Sequence, residues 1–154
     1  MPTDVDIAFS LWVLLQQARD AMYNARDKEL SKYDISPREA ATLHAIILIG
    51  KSANPTKLAR WSYRKPHTIA GILTRMQKNN LITLNKDVDI KNIVRIKVTE
   101  KGKRIYKLTQ KRDIFSRIFG VLDEKQSHQL ETYLGMIRDK ALSEIGDSIN
   151  RPIP

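Results

Sequence analysis

Apolar residues recur at helical spacing along most of the chain. From Val5 to about Lys32 they follow alternating three- and four-residue steps, which predicts one long helix with an apolar stripe. The stripe consists of Ala8, Leu11, Leu15, Ala18, Met22 and Ala25. A second helix is predicted from Ser36 to Gly50. Ser36, Pro37 and Glu39 form a typical helix start, and glycine commonly follows a helix end.

Two further helices are predicted in close succession. Asn54 and Pro55 repeat the cap-then-proline pattern and open a helix that reaches about Trp61. Lys65–Pro66 opens the next helix, which ends at Asn79. Its apolar residues recur at i, i+3, i+4 and i+7, so they form a buried face: Ile69, Ile72, Leu73 and Met76. The opposite face is predicted to be exposed and carries His67, Gly71, Thr74, Arg75 and Lys78.

The helical pattern then gives way to alternation. Leu81–Asn85 and Ile93–Thr99 are rich in β-branched residues and alternate apolar with polar positions, which predicts a hairpin. The polar span Lys86–Asn92 forms its basic tip.

Two helices are predicted after the hairpin. The first is capped by Thr99 and carries apolar residues as far as Phe119. The second starts at Asp123, with Gln126 three residues later, and reaches Ile145. The tail Asn150–Pro154 is predicted to fray. The chain is therefore expected to be mainly α with one small β-hairpin.

The positive charge is confined to one segment. Residues 51–112 contain 17 Lys and Arg against three acidic residues, a net charge of +14, whereas the whole chain carries +10. The rest of the chain is therefore at −4. A positive field concentrated on a segment with two short helices and a hairpin is typical of a protein that reads duplex DNA. An isoelectric point near 9.9 could also suit an anionic membrane surface, but clustered charge favours nucleic acid.

Composition excludes several other classes. The 154 residues suit one globular domain, with 42% hydrophobic and 29% charged residues. The absence of cysteine excludes disulfides, thiolate metal sites and thiol redox switches. The three histidines lack metal-ligand spacing, and no nucleophile–base pair or phosphate-cradling glycine loop is present, so neither a metal, a cofactor nor an enzyme is expected. No basic signal region or membrane-length apolar run is seen, so the expected location is cytoplasmic.

Five short motifs occur together at characteristic spacing. They are Leu58-Ala59-Arg60, Pro66-His67-Thr68-Ile69, Leu73-Thr74-Arg75-Met76, Asn80-Leu81-Ile82 and Val98-Thr99-Glu100-Lys101-Gly102. With the flanking helices, they resemble the multiple antibiotic resistance regulator (MarR) family of transcription factors, most strongly over Asn54–Gly102. The resemblance implies a winged helix-turn-helix in which the hairpin is the wing, with N- and C-terminal dimerisation helices.

This resemblance also implies an organisation and a function. Residues 1–154 would form a single domain, with a DNA-binding lobe at 36–102 and dimerisation helices at 5–34 and 103–147. The protein would be a homodimeric repressor at a pseudo-palindromic operator, released by a small ligand. The alternatives are an architectural or constitutive DNA-binding protein without effector and, more remotely, a protein–protein module. An intramolecular helical core is the alternative to dimerisation by the terminal helices.

The same resemblance assigns DNA contacts. Lys65, His67 and Thr68 would face base edges in the major groove, with Gly71 allowing close approach. Thr74, Arg75 and Lys78 share the exposed face of this helix. Of these, Arg75 and Lys78 would hold phosphates. In the wing, Lys86 and Lys91 would contact the backbone or the minor groove.

Three positions depart from the family pattern. Gly71 stands where the family often has a base-contacting arginine, Asn80 stands where it has glycine, and Ile90-Lys91-Asn92 replaces a wing motif of aspartate and arginine. Gly71 has two open interpretations: it allows the helix to approach DNA closely, or it is a neutral sequence change that the fold tolerates. Asn80 tolerates the same left-handed backbone as glycine.

Family members often bind a small aromatic or anionic effector between the dimerisation helices and the DNA-binding lobe. Trp12, His44 and Phe115 are the candidates to line such a cleft here. Residues of these types at such positions are more often plain core residues. Trp61 and Tyr63 are interpreted as packing residues.

Overall fold

The computed structural model describes residues 3–146. Within them the chain forms seven α-helices and one two-stranded antiparallel sheet, with short 3-10 turns at Ser31–Tyr33 and Gly50–Ser52. The elements are α1 (Asp4–Leu30), α2 (Pro37–Ile49), α3 (Pro55–Ser62), α4 (Pro66–Lys78), β1 (Ile82–Lys86), β2 (Val94–Val98), α5 (Glu100–Thr109), α6 (Asp113–Phe119) and α7 (Glu124–Glu144). The predicted fraying of Asn150–Pro154, and residue 147 of the predicted dimerisation segment, lie outside the described residues. The prediction of a mainly α fold with a small hairpin is confirmed.

Side-chain caps fix the helix starts that the sequence indicated. At α2, the Ser36 hydroxyl accepts from the Glu39 amide at 3.2 Å, while the Glu39 carboxylate accepts from the Ser36 amide at 3.0 Å. Asp123 and Gln126 form the same reciprocal pair at α7. Asn54 caps α3 by accepting from the Lys57 amide at 2.9 Å. Each cap satisfies amides that the first helical turn leaves unpaired, which is why these local patterns located the helix starts correctly.

The prediction of one helix from Thr99 to Phe119 is wrong, because the chain breaks it into α5 and α6. Arg112, between the two, has a φ of 51°, in the left-handed region. Side chains of α1 provide the hydrogen bonds that a continuous helix would have made. Arg26 Nη2 donates to the Thr109 carbonyl at 2.7 Å, and the Ile114 amide donates to the Glu29 carboxylate at 3.0 Å. The break is therefore stabilised by tertiary contacts.

The core lies between the end of α1 and the lobe formed by α2, α3, α4 and the hairpin. Its largest fully buried side chains are Leu30, Leu43, Leu58, Ile69, Met76 and Ile82. The hairpin contributes apolar pairs in the register Ile82 with Val98 and Leu84 with Ile96. All four residues of the predicted buried face of α4 are buried. That face holds α4 against the lobe and turns its opposite side outward.

The terminal helices extend beyond this core. In α1, the stripe residues Ala8, Leu11, Leu15 and Ala18 are exposed. The buried residues of α1 are Arg26 and Leu30, at its C-terminal end. Large apolar side chains of α1 and α7 thus face outward in the protomer, so the alternative of an intramolecular core does not describe the first part of α1. No helix within residues 3–146 is long and apolar enough to cross a membrane.

Candidate nucleic-acid interface

A tight turn joins α3 to α4. Tyr63 has a φ of 54°, and its amide donates to the Arg60 carbonyl at 3.4 Å. The amide of Arg64 donates to the Ala59 carbonyl at 3.1 Å. These bonds close the end of α3, and α4 begins two residues later at Pro66. The two helices thereby form the helix-turn-helix unit that the sequence predicted.

The outer face of α4 carries the predicted DNA contacts. His67, Gly71, Thr74, Arg75 and Lys78 are all exposed. Thr68 is half-buried, closer to the core than its neighbours. Within residues 3–146, the side chains of Arg75 and Lys78 form no ion pair, so their charges are available to an anionic partner. The Thr74 hydroxyl donates to the Ala70 carbonyl of its own helix at 2.9 Å, which leaves its oxygen as an acceptor.

Gly71 has open space around it. A Cβ atom built at this position meets no other heavy atom within 4 Å. Packing within the protomer therefore does not require glycine here. If glycine is needed here for close approach, the molecule that approaches must lie outside the protomer. If Gly71 is a tolerated sequence change, no such partner is required.

Contacts with the following elements fix the C-terminal end of α4. Lys101 Nζ donates to the Asn79 carbonyl at 2.9 Å, and the Thr99 hydroxyl donates to the Asn80 carbonyl at 2.6 Å. Asn80 has a φ of 58°, so it takes the left-handed conformation expected of it. These bonds connect α4 to the start of α5, directly after the wing.

The wing places its two predicted lysines at the outer end. Lys86 closes β1 and Lys91 lies in the connecting loop, and both are exposed. Val88 at the tip is 99% exposed, so no apolar contact covers the loop there. Lys65 precedes α4 and is also exposed. The structure thus places basic side chains at the start of α4, along its outer face and on the wing.

Sequence reasoning missed one group of residues in the wing. Arg95, on β2, forms an ion pair with Asp87 and donates from Nη1 to the Ser52 carbonyl at 3.1 Å. Amide hydrogen bonds from Ile90 and Asp89, followed by the Arg95 guanidinium, lower the pKa of Asp87. The sequence signal for this pair was an acidic residue, Asp87, and a basic residue, Arg95, on opposite sides of the predicted hairpin. Arg95 therefore faces the lobe and is not one of the outward-facing basic groups.

A second feature is a cleft of about 570 Å³. It lies between α1, α2 and the α5–α6 junction. His44 and Phe115 line it, as predicted, and the guanidinium of Arg26 lies 5.2 Å from the Phe115 ring centre. Trp12 does not line it: this side chain lies in the first part of α1 and is 59% exposed. The lining also includes Arg19, Tyr23, Trp61, Arg112 and Phe119.

His44 contacts two polar groups inside this cleft. Its Nδ1 lies 3.0 Å from the Tyr106 hydroxyl and 3.3 Å from Arg112 Nη2. Burial, and then the positive charge of Arg112, lower the pKa of His44. The Trp61 ring meets the imidazole edge-on at 6.4 Å. The cleft thus combines aromatic walls with cationic groups.

The chain was compared with known families, curated proteins and solved structures. None of the known family models matches the chain, and no curated protein matches it. Among solved structures, the organohalide-sensing transcriptional regulator RdhR bound to 2,4-dichlorophenol is 26% identical, with a TM-score of 0.84 over 92% of this chain and 87% of that one. Its ligand-free form superposes with a TM-score of 0.83.

Two DNA complexes are similar in fold. A mutant of MarR from E. coli in complex with operator DNA is 16% identical, with a TM-score of 0.80 over 88% of this chain and 99% of that one. The MepR–DNA complex from S. aureus is 17% identical, with a TM-score of 0.75 over 83% and 94% of the two chains. These similar folds are those of transcriptional regulators. The chain is thus a winged helix-turn-helix protein with the fold of the MarR-family transcriptional regulators.

Proposed function

We propose that the protein is a sequence-specific DNA-binding transcriptional regulator that represses by occupying a pseudo-palindromic operator. The observation that carries the proposal is the outer face of α4, which is exposed, basic and free of internal ion pairs within residues 3–146. It lies in the segment that carries +14 in a chain of +10. Such a face attracts phosphates and fits the major groove. The proposal assigns no catalytic step, and it implies a cytoplasmic protein that meets its DNA there.

The exposed side chains divide into two roles. Lys65, His67 and Thr68 lie at the N-terminal end of α4, the end that faces base edges in a docked helix-turn-helix. We assign them to base readout. Thr74, Arg75 and Lys78 lie further along α4 and are assigned to phosphates, which set register and salt dependence. Lys86 and Lys91 are assigned to the backbone or the minor groove beside the wing, and Gly71 to close approach.

We propose a homodimer, and the exposed apolar side chains of the terminal helices support this proposal. In α1, Phe9, Leu11 and Trp12 are 66%, 54% and 59% exposed. In α7, Met136 and Ile137 are 63% and 49% exposed. Exposed large apolar side chains of this kind on both terminal helices are typical of an interface. We assign residues 5–34 and 103–147 to a two-fold dimer and residues 36–102 to DNA binding.

The cleft beside His44 supports a small-molecule effector. Its volume lies in the range of ligand pockets, and its aromatic walls and arginines suit an aromatic anion. The similar regulator RdhR has a chlorinated phenol bound in its structure. We therefore propose His44 and Phe115 as effector contacts. Trp12 remains a candidate only as a contribution from the partner subunit, since its own protomer places it outside the cleft.

Selection of bound duplexes from a random pool tests the proposal. A regulator should enrich an inverted repeat with half-sites about ten base pairs apart. Its operator should then bind roughly a thousandfold more tightly than mixed DNA at equal salt. Enrichment without a motif would favour the architectural alternative, which Gly71 and the replaced wing arginine support. No binding at any salt concentration would refute both.

A further inference from the structure

The outer half of the wing has no apolar anchor of its own. Its residues in the buried core or packed against it are Ile82, Leu84, Ile96 and Val98, all in the half nearest the lobe. Beyond them, Val88 is 99% exposed and Ile90 is 48% exposed. An isolated two-stranded hairpin is marginally stable in water. Other contacts must therefore hold the outer half in one orientation.

A polar chain of contacts spans this region. Asp87 Oδ1 accepts from the amides of Asp89 at 2.8 Å and Ile90 at 2.9 Å, which shapes the loop. The other oxygen of Asp87 pairs with Arg95, whose Nη1 donates to the Ser52 carbonyl at 3.1 Å. The two side chains of the ion pair are only 20% and 11% exposed. Such a partly buried pair is less screened than a surface pair.

Ser52 belongs to a well-fixed part of the lobe. The next residue, Ala53, is fully buried, and its carbonyl accepts from the Ile96 amide at 3.0 Å. The Ser52 hydroxyl also accepts from Lys57 Nζ of α3 at 2.7 Å. The contact from Arg95 therefore connects the wing loop to the segment that precedes the helix-turn-helix.

We propose that Arg95, together with Asp87, is a positioning pair that sets the orientation of the wing and so presents Lys91 to DNA. The inference rests on the proposed function and deepens it. Arg95 contributes no contact of its own to DNA, because its guanidinium donates to Asp87 and Ser52. Without the pair, the loop would retain its basic residues but would sample many orientations. Lys91 would then contribute less to binding.

The test compares Lys91→Ala in two backgrounds. One is the wild-type protein, and the other carries Asp87→Asn with Arg95→Gln, which removes the pair without changing the net charge. The probe is a labelled duplex from the selected pool, or a mixed-sequence duplex if no motif emerges. We expect Lys91→Ala to weaken wild-type binding by roughly five- to tenfold at about 0.1 M salt, the counterion-release value for one phosphate contact. In the background without the pair we expect less than about a twofold loss.

Arg75→Ala is the matched control, because it removes a proposed phosphate contact on α4. Its fold-loss should be the same in both backgrounds. Equal losses for Lys91→Ala in the two backgrounds would overturn the proposal. So would a loss of the Arg75→Ala effect in the second background, since the double substitution would then have disturbed the whole lobe.

A second measurement needs no DNA. Amide hydrogen exchange should become faster across Lys86–Val94 in the Asp87→Asn/Arg95→Gln protein, while amides of Ile69–Met76 in α4 keep their wild-type protection. Unchanged exchange in the wing would overturn the proposal. If the wild-type protein binds no duplex, the proposed function fails, and the exchange measurement still decides whether Arg95 orders the wing.

Discussion

Gly71→Ala separates the two interpretations of Gly71, because close approach to DNA predicts that folding and DNA binding respond in opposite directions. Gly71 lies in the middle of α4, where glycine costs about 0.5–1 kcal/mol relative to alanine. A Cβ here meets no heavy atom within 4 Å, so alanine adds no clash in the protomer. We expect the free energy of unfolding to rise by that amount and Tm by about 1–4 °C for a chain of this size.

Binding should weaken if the bare backbone of Gly71 contacts the bases. A methyl group inserted into a close-packed interface costs about 1–3 kcal/mol, a roughly five- to 150-fold loss of affinity. The assays are urea unfolding of the free protein and titration of a labelled duplex at fixed salt. A more stable variant with unchanged affinity would refute close approach and leave the neutral sequence change. A variant that is not stabilised would contradict the open space around Gly71.

Gly135→Ala provides a matched control on α7. A Cβ at Gly135 also meets no heavy atom of the protomer within 4 Å. α7 lies outside the proposed DNA-binding face, but Gly135 belongs to the proposed dimerisation segment. For a variant that keeps the wild-type oligomeric state, we expect a similar gain in stability with no change in DNA affinity. Sedimentation of both variants checks that the oligomeric state is unchanged, so that the affinities can be compared directly.

Further variants test individual contacts. Gly102→Ala should lower the free energy of unfolding by about 1–3 kcal/mol in urea titrations, because its Cβ would lie 2.2 Å from the Leu81 carbonyl oxygen; an unchanged value would contradict that close contact. Arg75→Ala should weaken operator and mixed duplexes alike and reduce the salt slope by about one, whereas unchanged binding to both removes its phosphate role. His67→Ala should relax preference at one base position in the selected pool, and an identical profile would exclude it from readout.

The pH dependence of folding tests the environment of His44. Its pKa in the folded protein is lowered from 6.5, so below that value the unfolded chain binds more protons than the folded one. Stability is therefore highest above 6.5 and falls as the pH drops through 6.5 towards the folded pKa. In the His44→Gln variant, the fall in the free energy of unfolding below pH 6.5 that is due to His44 should disappear. Urea unfolding at several pH values measures it. Equal pH dependence in the two proteins would contradict the buried, cation-facing imidazole.

Local patterns predicted the parts of the fold that local chemistry determines. The reciprocal Ser36–Glu39 cap and the 3.6-residue periodicity of α4 involve residues within a few turns of each other. The hairpin register follows from alternation, since a one-residue slip would turn Ile82 and Ile96 out of the core. These features needed no knowledge of distant contacts. The same reasoning located the exposed face of α4, which carries the proposed readout.

Distant polar contacts account for what sequence reasoning missed. The α5–α6 break depends on Arg26 and Glu29, which lie 83 and 85 residues before the groups they bind. No periodicity within residues 99–119 contains that information. The inward orientation of Arg95 likewise depends on the carbonyl of Ser52, 43 residues earlier. From sequence alone, a basic residue in a predicted wing is interpreted as a DNA contact. Only the structure shows that Arg95 is bound instead to the Ser52 carbonyl.

The α5–α6 break also gives the effector proposal a physical basis. Arg112 occupies the break, lines the cleft and contacts His44 of α2, so one residue meets the terminal helices, the lobe and the cleft. A ligand can shift a conformational equilibrium only by as much as its affinity differs between the two states. An anion in this cleft would compete with His44 for Arg112, which stands at the α5–α6 break. Ligand binding that leaves the His44–Arg112 contact unchanged would therefore contradict a role for Arg112 in the effector response.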